Sequence, residues 1–203
     1  MNSVVDMNKD LKVKTTQALI ALYCGSRVGN KAIYLESAIQ LAQGLAQHGF
    51  GIVYGGASIG LMGQVADTVL EHGGEVVGVI PEFMLDYESA HNQLTELHVV
   101  ETMHERKAKM MELADGFIAL PGGPGTLEEF FEVFTWNQIG ILQKPCGVLN
   151  INGYYNKLIE LFDHMVREKF LQERSRNVFY VDDNYEQLIH KMLGFVAPAI
   201  KTY

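Results

Sequence analysis

Glycine is concentrated in the segment LPGGPGTLEE (120–129), which ends a short apolar run. Glycine lets a backbone approach a ligand closely, and the first N–H groups of a helix have no intrahelical acceptor and can bind an anion. Thr126 and Glu129 have the spacing of a capping box, which predicts that a helix begins at Thr126. A helix start alone would explain that spacing. Three glycines in four residues exceed what a cap requires, and they favour a phosphate site.

Basic residues cluster in the segment MHERK (103–107), at the start of another predicted helix. Arg106 and Lys107 fall in its first turns, where a cation opposes the helix macrodipole at a cost of a few tenths to about 1 kcal/mol. A basic run on a helix is commonly a solvated face, and that is the alternative interpretation. A bound anion would offset the cost, so these side chains are candidates for substrate binding or catalysis.

The glycine-rich segments do not match the two common nucleotide-binding fingerprints. GGASIGL (55–61) has leucine where the P-loop requires lysine. GPGTLE (123–128) has glutamate at the third glycine position of GxGxxG, and CGSRVG (24–29) lacks the middle glycine. The sequence therefore disfavours ATP hydrolysis and hydride transfer.

Short apolar segments alternate with segments of helical spacing along the chain. Strands are predicted over 17–23, 51–54, 75–80, 97–100, 116–120, 145–151 and 178–181. Helices are predicted over 31–48, 60–72, 103–114, 126–139, 154–169 and 185–193. The alternation predicts an α/β fold, a Rossmann-like doubly wound parallel sheet of about seven strands with helices on both faces. Each strand is expected to be covered on both faces, because the apolar runs are continuous.

One domain is predicted over residues 17–193, with tails at 1–16 and 194–203. Ligands of open parallel sheets bind at the carboxyl ends of the strands, where loops lead into helices. The relevant loops follow the first, second, third and fifth strands: CGSRVG (24–29), YGGASIGLMG (54–63), PEFMLDYE (81–88) and PGGPGT (121–126).

Composition limits the classes of partner. The 203 residues include 24 acidic and 16 basic side chains, a net charge of −8, which disfavours nucleic acid as a ligand. No signal peptide or membrane anchor is evident, and two cysteines form neither a disulfide framework nor a CxxC pair, so we expect a cytoplasmic protein without membrane association. The seven histidines form no HxxxH or HExxH pair, and we expect no metal.

The helix after the glycine turn (residues 120–126) has two apolar faces. One stripe is expected to face the core: Leu127, Phe130, Phe131 and Phe134. Val133, Trp136 and Ile139 fall outside that stripe, beside Glu129 and Glu132, and are too apolar for a solvated face. This pattern predicts a two-fold homodimer through the helix that contains Trp136. The alternative is that these residues pack beneath another element of the same chain.

Five motifs in order resemble the LONELY GUY (LOG) family of cytokinin-activating phosphoribohydrolases, which is often mislabelled lysine decarboxylase. The resemblance covers about residues 19–180 and rests on YGGASIGLMG (54–63), GVIPEFM (78–84), MHERK (103–107), PGGPGTLEE (121–129) and TWNQIGILQKP (135–145). It implies an enzyme that hydrolyses the N-glycosidic bond of adenosine 5′-monophosphate or its N6-substituted forms, giving free base and ribose 5-phosphate.

The resemblance also implies which residues act. Arg106 and Glu129 match the catalytic pair. Substrate contacts are expected from Ser26, Gly56, Glu88, Met103, Arg106, Lys107, Gly122, Gly123, Gly125, Thr126, Glu128 and Thr135. Pro124 departs from the family pattern, since many relatives have tyrosine there, so the resemblance does not fix the fine substrate preference.

The chemistry of the residues agrees with this reaction. Cleavage of a ribosyl C–N bond passes through an oxocarbenium-like state, which a carboxylate such as Glu129 stabilises while it activates water. Arg106 would hold the phosphate or polarise the leaving base, and both roles stay open. The N–H groups of Gly123, Gly125 and Thr126 could bind the 5′-phosphate. No cofactor is expected, including pyridoxal phosphate. The alternative function is a non-catalytic, dimeric nucleotide-binding sensor.

Overall fold

The computed structural model of the chain describes residues 16, 18–85 and 89–197. In this part of the chain, seven strands form one parallel sheet in the order β4-β3-β2-β1-β5-β6-β7. The strands are β1 (Ala18–Tyr23), β2 (Phe50–Tyr54), β3 (Val76–Pro81), β4 (Glu96–Val100), β5 (Gly116–Ala119), β6 (Cys146–Leu149) and β7 (Phe179–Asp182).

Helices cover both faces of this sheet. They are α1 (Ala32–Gln47), α2 (Gly60–Glu71), α3 (Met103–Leu113), α4 (Pro124–Gln138), α5 (Asn156–Arg167), α6 (Glu173–Arg176) and α7 (Tyr185–Leu193). Helices α1, α2 and α7 pack on one face, and α3, α4 and α5 pack on the other. Along β1, Ile20 and Leu22 join the first core while Ala21 and Tyr23 join the second. The predicted doubly wound α/β class is confirmed.

Strand β4 is an exception to the expected burial of the strands. It lies at the edge of the sheet, and Val99 is 52% exposed. Leu97 on the same face is also exposed. The prediction that every strand is covered on both faces is therefore wrong for β4, because a continuous apolar run does not distinguish an edge strand from a central one.

Aromatic packing fixes α4 on the sheet. Phe162 of α5 lies with its ring centroid 4.9 Å from that of Phe134 and 5.0 Å from that of Phe179 on β7. The ring of Phe130 meets that of Phe179 edge-on at 5.2 Å. Phe130 and Phe134 are buried as predicted, and this cluster holds the start of α4 at the edge of the sheet where ligands bind.

The predicted second face of α4 is partly wrong. Val133 is fully buried in the core of this chain, because α4 is flanked by other helices on the same face of the sheet and buries more than one stripe. Trp136 is half-buried against the same core. Ile139 is 51% exposed, so the most exposed of these three residues lies just after the end of α4.

The predicted tail 1–16 lies almost wholly outside the described residues, and the tail 194–203 lies partly outside them.

In the described part of the chain, none of the helices combines the length and the apolar character needed to cross a bilayer.

We predict that Phe162→Ala lowers the free energy of unfolding by about 3–5 kcal/mol, because it empties the centre of the aromatic cluster. Urea denaturation followed by circular dichroism measures this change. Phe170→Ala is the matched control, since Phe170 is 88% exposed, and it should change stability by less than about 0.5 kcal/mol. Equal losses in the two variants would contradict the assigned role of Phe162.

Candidate active site

The loops after β1 and β5 meet at the carboxyl edge of the sheet. These two strands are neighbours, and the chain runs outward from them in opposite directions, which is the topological switch point of such folds. The N–H of Leu120 donates to Tyr23 O at 2.8 Å, and the N–H of Gly25 donates to Pro121 O at 3.1 Å. The pairing of β1 and β5 thus continues into the glycine turn.

Two adjoining clefts open at this point. The larger, of about 440 Å³, is lined by Arg27, Tyr34 and Tyr154 among others. The smaller, of about 250 Å³, contains Arg106 and Glu129. Both clefts are bounded by Gly25, Ser26, Gly123 and Pro124, so the glycine turn forms part of their shared wall.

Helix α4 begins earlier than the sequence predicted. Gly123 is its N-cap residue and Pro124 its first helical residue, so Thr126 is the third residue of the helix and does not cap it. The capping-box prediction is wrong because proline presets the helical φ at this first position, where its missing N–H has no cost. The N–H groups of Gly125 and Thr126 then belong to the first turn, where intrahelical acceptors are lacking.

The three glycines of the turn have different roles. A Cβ on Gly122 would overlap Thr126 Oγ1 and lie 2.9 Å from the backbone nitrogen of Gly25, so the fold requires glycine there. A Cβ on Gly123 or Gly125 would meet no heavy atom within 4 Å. Folding therefore does not require glycine at these two positions. Because glycine has no side chain, the backbone N–H groups of Gly123 and Gly125 are accessible to a ligand.

Arg106 is buried at the wall of the smaller cleft, with 5% of its surface exposed. Its Nε donates to Val79 O at 3.1 Å, and its Nη2 donates to Gly55 O at 3.1 Å. Its Nη1 lies 3.7 Å from the Sδ atoms of Met84 and Met103, which also line the cleft. The two carbonyls therefore fix the guanidinium in one orientation, with its Nη1 edge toward the methionines.

Lys107 points to helix α4. Its ammonium pairs with Glu128, and it lies 2.9 Å from Glu132 Oε2. Burial lowers the pKa of Lys107, but the hydrogen bonds to these two carboxylates outweigh that effect and raise it. The charge of Lys107 is balanced within the protein, and the pair joins the starts of α3 and α4.

Glu129 faces the smaller cleft. Burial and, secondarily, the negative charge of Glu129 raise the pKa of the Cys24 thiol and of the Tyr23 hydroxyl. The carboxyl group therefore lies near the end of β1. Cys24 also lines the cleft, but its raised pKa keeps it protonated, so it does not supply a thiolate nucleophile.

Most of the predicted site residues share the smaller cleft. The members of this group are Ser26, Met103, Arg106, Gly123, Gly125, Thr126, Glu128 and Glu129. Gly122 lines the larger cleft, and Lys107 contacts Glu128 at the rim. The structure thus brings residues from three separate segments of the sequence to one place.

Of the other predicted residues, Gly56 and Thr135 are not among the described residues that line the two clefts. Gly56 is buried with φ at 78°, and its carbonyl accepts the N–H of His91 at 2.9 Å, so it shapes the loop after β2. Thr135 is exposed further along α4 and donates to Phe131 O at 2.7 Å. Glu88 lies outside the described residues.

The sequence did not single out several residues of the site. Met62 and Met84 line the smaller cleft, and Tyr34 and Tyr154 line the larger one. Methionine and tyrosine are common in cores, so their types carried no signal. The positions of Met84 and Tyr154, shortly after β3 and β6, did carry one, because the carboxyl ends of parallel strands meet at one edge. Among the described residues, no group of three or more His, Cys, Asp or Glu side chains is placed to hold a metal ion.

Comparisons with known proteins identify the family of the chain. A family model described as "Possible lysine decarboxylase" matches residues 62–192. The cytokinin riboside 5′-monophosphate phosphoribohydrolase of Rhodococcoides fascians is 45% identical over 179 residues, 88% of this chain and 90% of that protein. An Arabidopsis thaliana protein of the same name is 41% identical over 186 residues, 92% of this chain and 87% of that protein.

Solved structures share the fold. The molybdenum cofactor binding protein from Rippkaea orientalis matches with a TM-score of 0.67 at 21% identity, covering 87% of this chain and 96% of that one. This likeness concerns the architecture alone. The family match and the identity to the phosphoribohydrolases show that the chain belongs to the LONELY GUY family of phosphoribohydrolases.

Proposed function

We propose that the chain hydrolyses the N-glycosidic bond of adenosine 5′-monophosphate and its N6-substituted forms, giving free base and ribose 5-phosphate. The observation that carries this proposal is that Arg106 and Glu129 line the same cleft as the first turn of α4. The names of the relatives support it, since they are phosphoribohydrolases of cytokinin riboside 5′-monophosphates.

The 5′-phosphate binds at the first turn of α4. The N–H groups of Gly123, Gly125 and Thr126 are at the positive end of the helix dipole, which favours an anion. These donors carry no net charge, so a protein with a net charge of −8 can bind a dianion locally. Lys107 adds little, because Glu128 and Glu132 already balance its charge.

Glu129 acts on the ribose and the attacking water. As the bond between C1′ and N9 breaks, its electrons leave with the purine and positive charge grows on the sugar, where the carboxylate stabilises it. Water adds its oxygen to C1′ and gives a proton to Glu129, and the departing purine takes up a proton from solvent. Glu129 then releases its proton to solvent, which restores the carboxylate. One water is consumed, and the two products leave as free base and ribose 5-phosphate.

Arg106 acts on the leaving base in this arrangement. Its Nη1 edge lies beside Met84 and Met103, and Met62 lines the same cleft. Thioethers form an apolar, polarisable wall that suits a flat purine ring. The guanidinium is held by two carbonyls, so it can polarise the departing purine without moving.

The alternative function is a nucleotide sensor that binds the same ligand without turnover. Incubation with adenosine 5′-monophosphate and with isopentenyl adenosine 5′-monophosphate, followed by chromatography of the free base, separates the two functions. We expect base release from at least one substrate. Saturable binding without base release would support the sensor.

We also propose a cytoplasmic homodimer that forms through the end of α4. Beside the half-buried Trp136, Ile139 and Ile141 are 51% and 64% exposed. Two neighbouring isoleucines of this exposure form an apolar patch that a second copy of the chain would cover.

Glu129→Gln is expected to lower kcat by roughly 100-fold or more, because the amide keeps the shape of the side chain and loses its charge. Steady-state assays with adenosine 5′-monophosphate measure the loss. Glu160→Gln is the control, since Glu160 is exposed on α5 and pairs with Lys157. Turnover at the rate of the unmodified protein in the first variant would remove Glu129 from the mechanism.

Gly125→Ala is expected to leave the unfolding free energy unchanged or slightly higher, since its Cβ has space and alanine favours a helix. The same change should weaken phosphate binding by about tenfold, because a methyl group shields the first-turn N–H groups. Calorimetric titration with inorganic phosphate tests this. Gly122→Ala provides the contrast and should destabilise the fold. Undiminished phosphate affinity in Gly125→Ala would place the anion elsewhere.

Ile141→Asp is expected to shift the protein from dimer to monomer, because a carboxylate in an apolar interface is left unpaired. Sedimentation equilibrium measures the mass. Leu193→Asp is a matched control, since Leu193 is also 64% exposed but lies on α7 on the opposite face of the sheet. A dimer that persists in Ile141→Asp would show that another surface forms the contact.

A further inference from the structure

Two consecutive tyrosines bind the glycine turn from outside the smaller cleft. They follow β6, in the loop that contains the 3₁₀ turn Ile151–Gly153. The hydroxyl of Tyr154 donates to Gly122 O at 2.6 Å, and the hydroxyl of Tyr155 donates to Leu120 O at 2.5 Å. Neither the catalytic pair nor the predicted substrate contacts include these side chains.

Together with the loop after β1, the tyrosines bind three successive carbonyls. Pro121 O lies between the two tyrosine acceptors and accepts the N–H of Gly25 at 3.1 Å. Leu120 O, Pro121 O and Gly122 O therefore each accept a hydrogen bond from a different donor. Glycine-rich backbone has many accessible conformations, and these three bonds select one of them.

The bond from Tyr154 acts directly on a proposed phosphate donor. Gly122 C=O and Gly123 N–H belong to one peptide group, which is planar and trans, so the N–H points away from the carbonyl oxygen. Holding that oxygen with Tyr154 directs the N–H of Gly123 to the opposite side. Gly123 lines both clefts, whereas Tyr154 lines only the larger one. A hydrogen bond to the carbonyl also polarises the peptide and strengthens its N–H as a donor.

The tyrosine loop is itself rigid. Asn150 Oδ1 accepts the N–H of Tyr155 at 2.7 Å, and Asn150 Nδ2 donates to Asn156 Oδ1 at 2.8 Å. Asn152 has φ at 51°, a left-handed conformation that asparagine tolerates better than most residues. The ring of Tyr154 meets that of Tyr34 edge-on, with centroids 5.8 Å apart. The hydroxyl therefore has a fixed position from which to orient the turn.

We propose that Tyr154 is a positioning residue for the phosphate of the substrate: its hydroxyl orients the peptide between Gly122 and Gly123 so that the N–H of Gly123 faces the anion. Tyr155 holds the preceding peptide, at the end of β5, in the same way. The inference rests on the proposed function only in that it takes the glycine turn as the phosphate site.

The test compares Tyr154→Phe with the unmodified protein in calorimetric titrations with ribose 5-phosphate. Loss of the hydroxyl should raise the Kd for ribose 5-phosphate by about tenfold, which corresponds to about 1.4 kcal/mol. In assays with adenosine 5′-monophosphate, KM should rise by a similar factor while kcat changes less than about threefold. Phenylalanine keeps the ring contacts, so thermal unfolding should be nearly unchanged. Tyr180→Phe, on β7, is the matched control and should bind ribose 5-phosphate normally.

The possible outcomes distinguish a failure of this inference from a failure of the proposed function. A Kd for ribose 5-phosphate within twofold of the unmodified value in Tyr154→Phe would overturn the inference. An equal loss of affinity for adenine, which has no phosphate, would also overturn it, because that result indicates general distortion. If the unmodified protein binds ribose 5-phosphate but releases no base from nucleotides, the proposed function fails and the comparison of Kd values still decides the inference. Absence of ribose 5-phosphate binding would overturn the inference whatever the turnover.

Discussion

The pairing of β1 with β5 is the constraint on which the site depends. Because it continues past the strands through Leu120 N–H to Tyr23 O and Gly25 N–H to Pro121 O, two distant glycine-bearing loops lie against each other. The start of α4 then faces the cleft, and the aromatic cluster beneath α4 holds the helix there. Without this register, the same residues would be separate loops on the surface.

Backbone carbonyls orient the buried guanidinium of Arg106 at the site. Two carbonyls, Val79 O and Gly55 O, fix the guanidinium of Arg106. A Cβ on Gly55 would overlap Arg106 Nη2, so the glycine after β2 is needed for the arginine. Gly55 lies outside the glycine turn, but it leaves the space in which the guanidinium of Arg106 binds, and Arg106 is part of the proposed chemistry.

The sequence predicted all seven strands and the longer helices to within about two residues, because continuous apolar runs and helical spacing reflect burial directly. The predictions from sequence were wrong where tertiary packing or a competing local signal determines where a helix begins or which residues are buried. Proline at the first helical position overrode the capping box, and a neighbouring helix buried Val133. The family motifs supplied most of the smaller cleft, whereas Tyr34 and Tyr154 of the larger cleft went unnoticed because tyrosine is common in cores.

The phosphate site proposed at the first turn of α4 is made of peptide dipoles, and such a site responds to ionic strength differently from a lysine cluster. Dipoles that touch their ligand are poorly screened by salt, whereas the long-range field of a protein with a net charge of −8 is screened over about 10 Å at 0.1 M salt. That field repels a phosphorylated ligand as it approaches. For the proposed substrate, we therefore expect added salt to relieve the repulsion during encounter and to weaken the bound state little, so that association becomes faster at higher salt concentration.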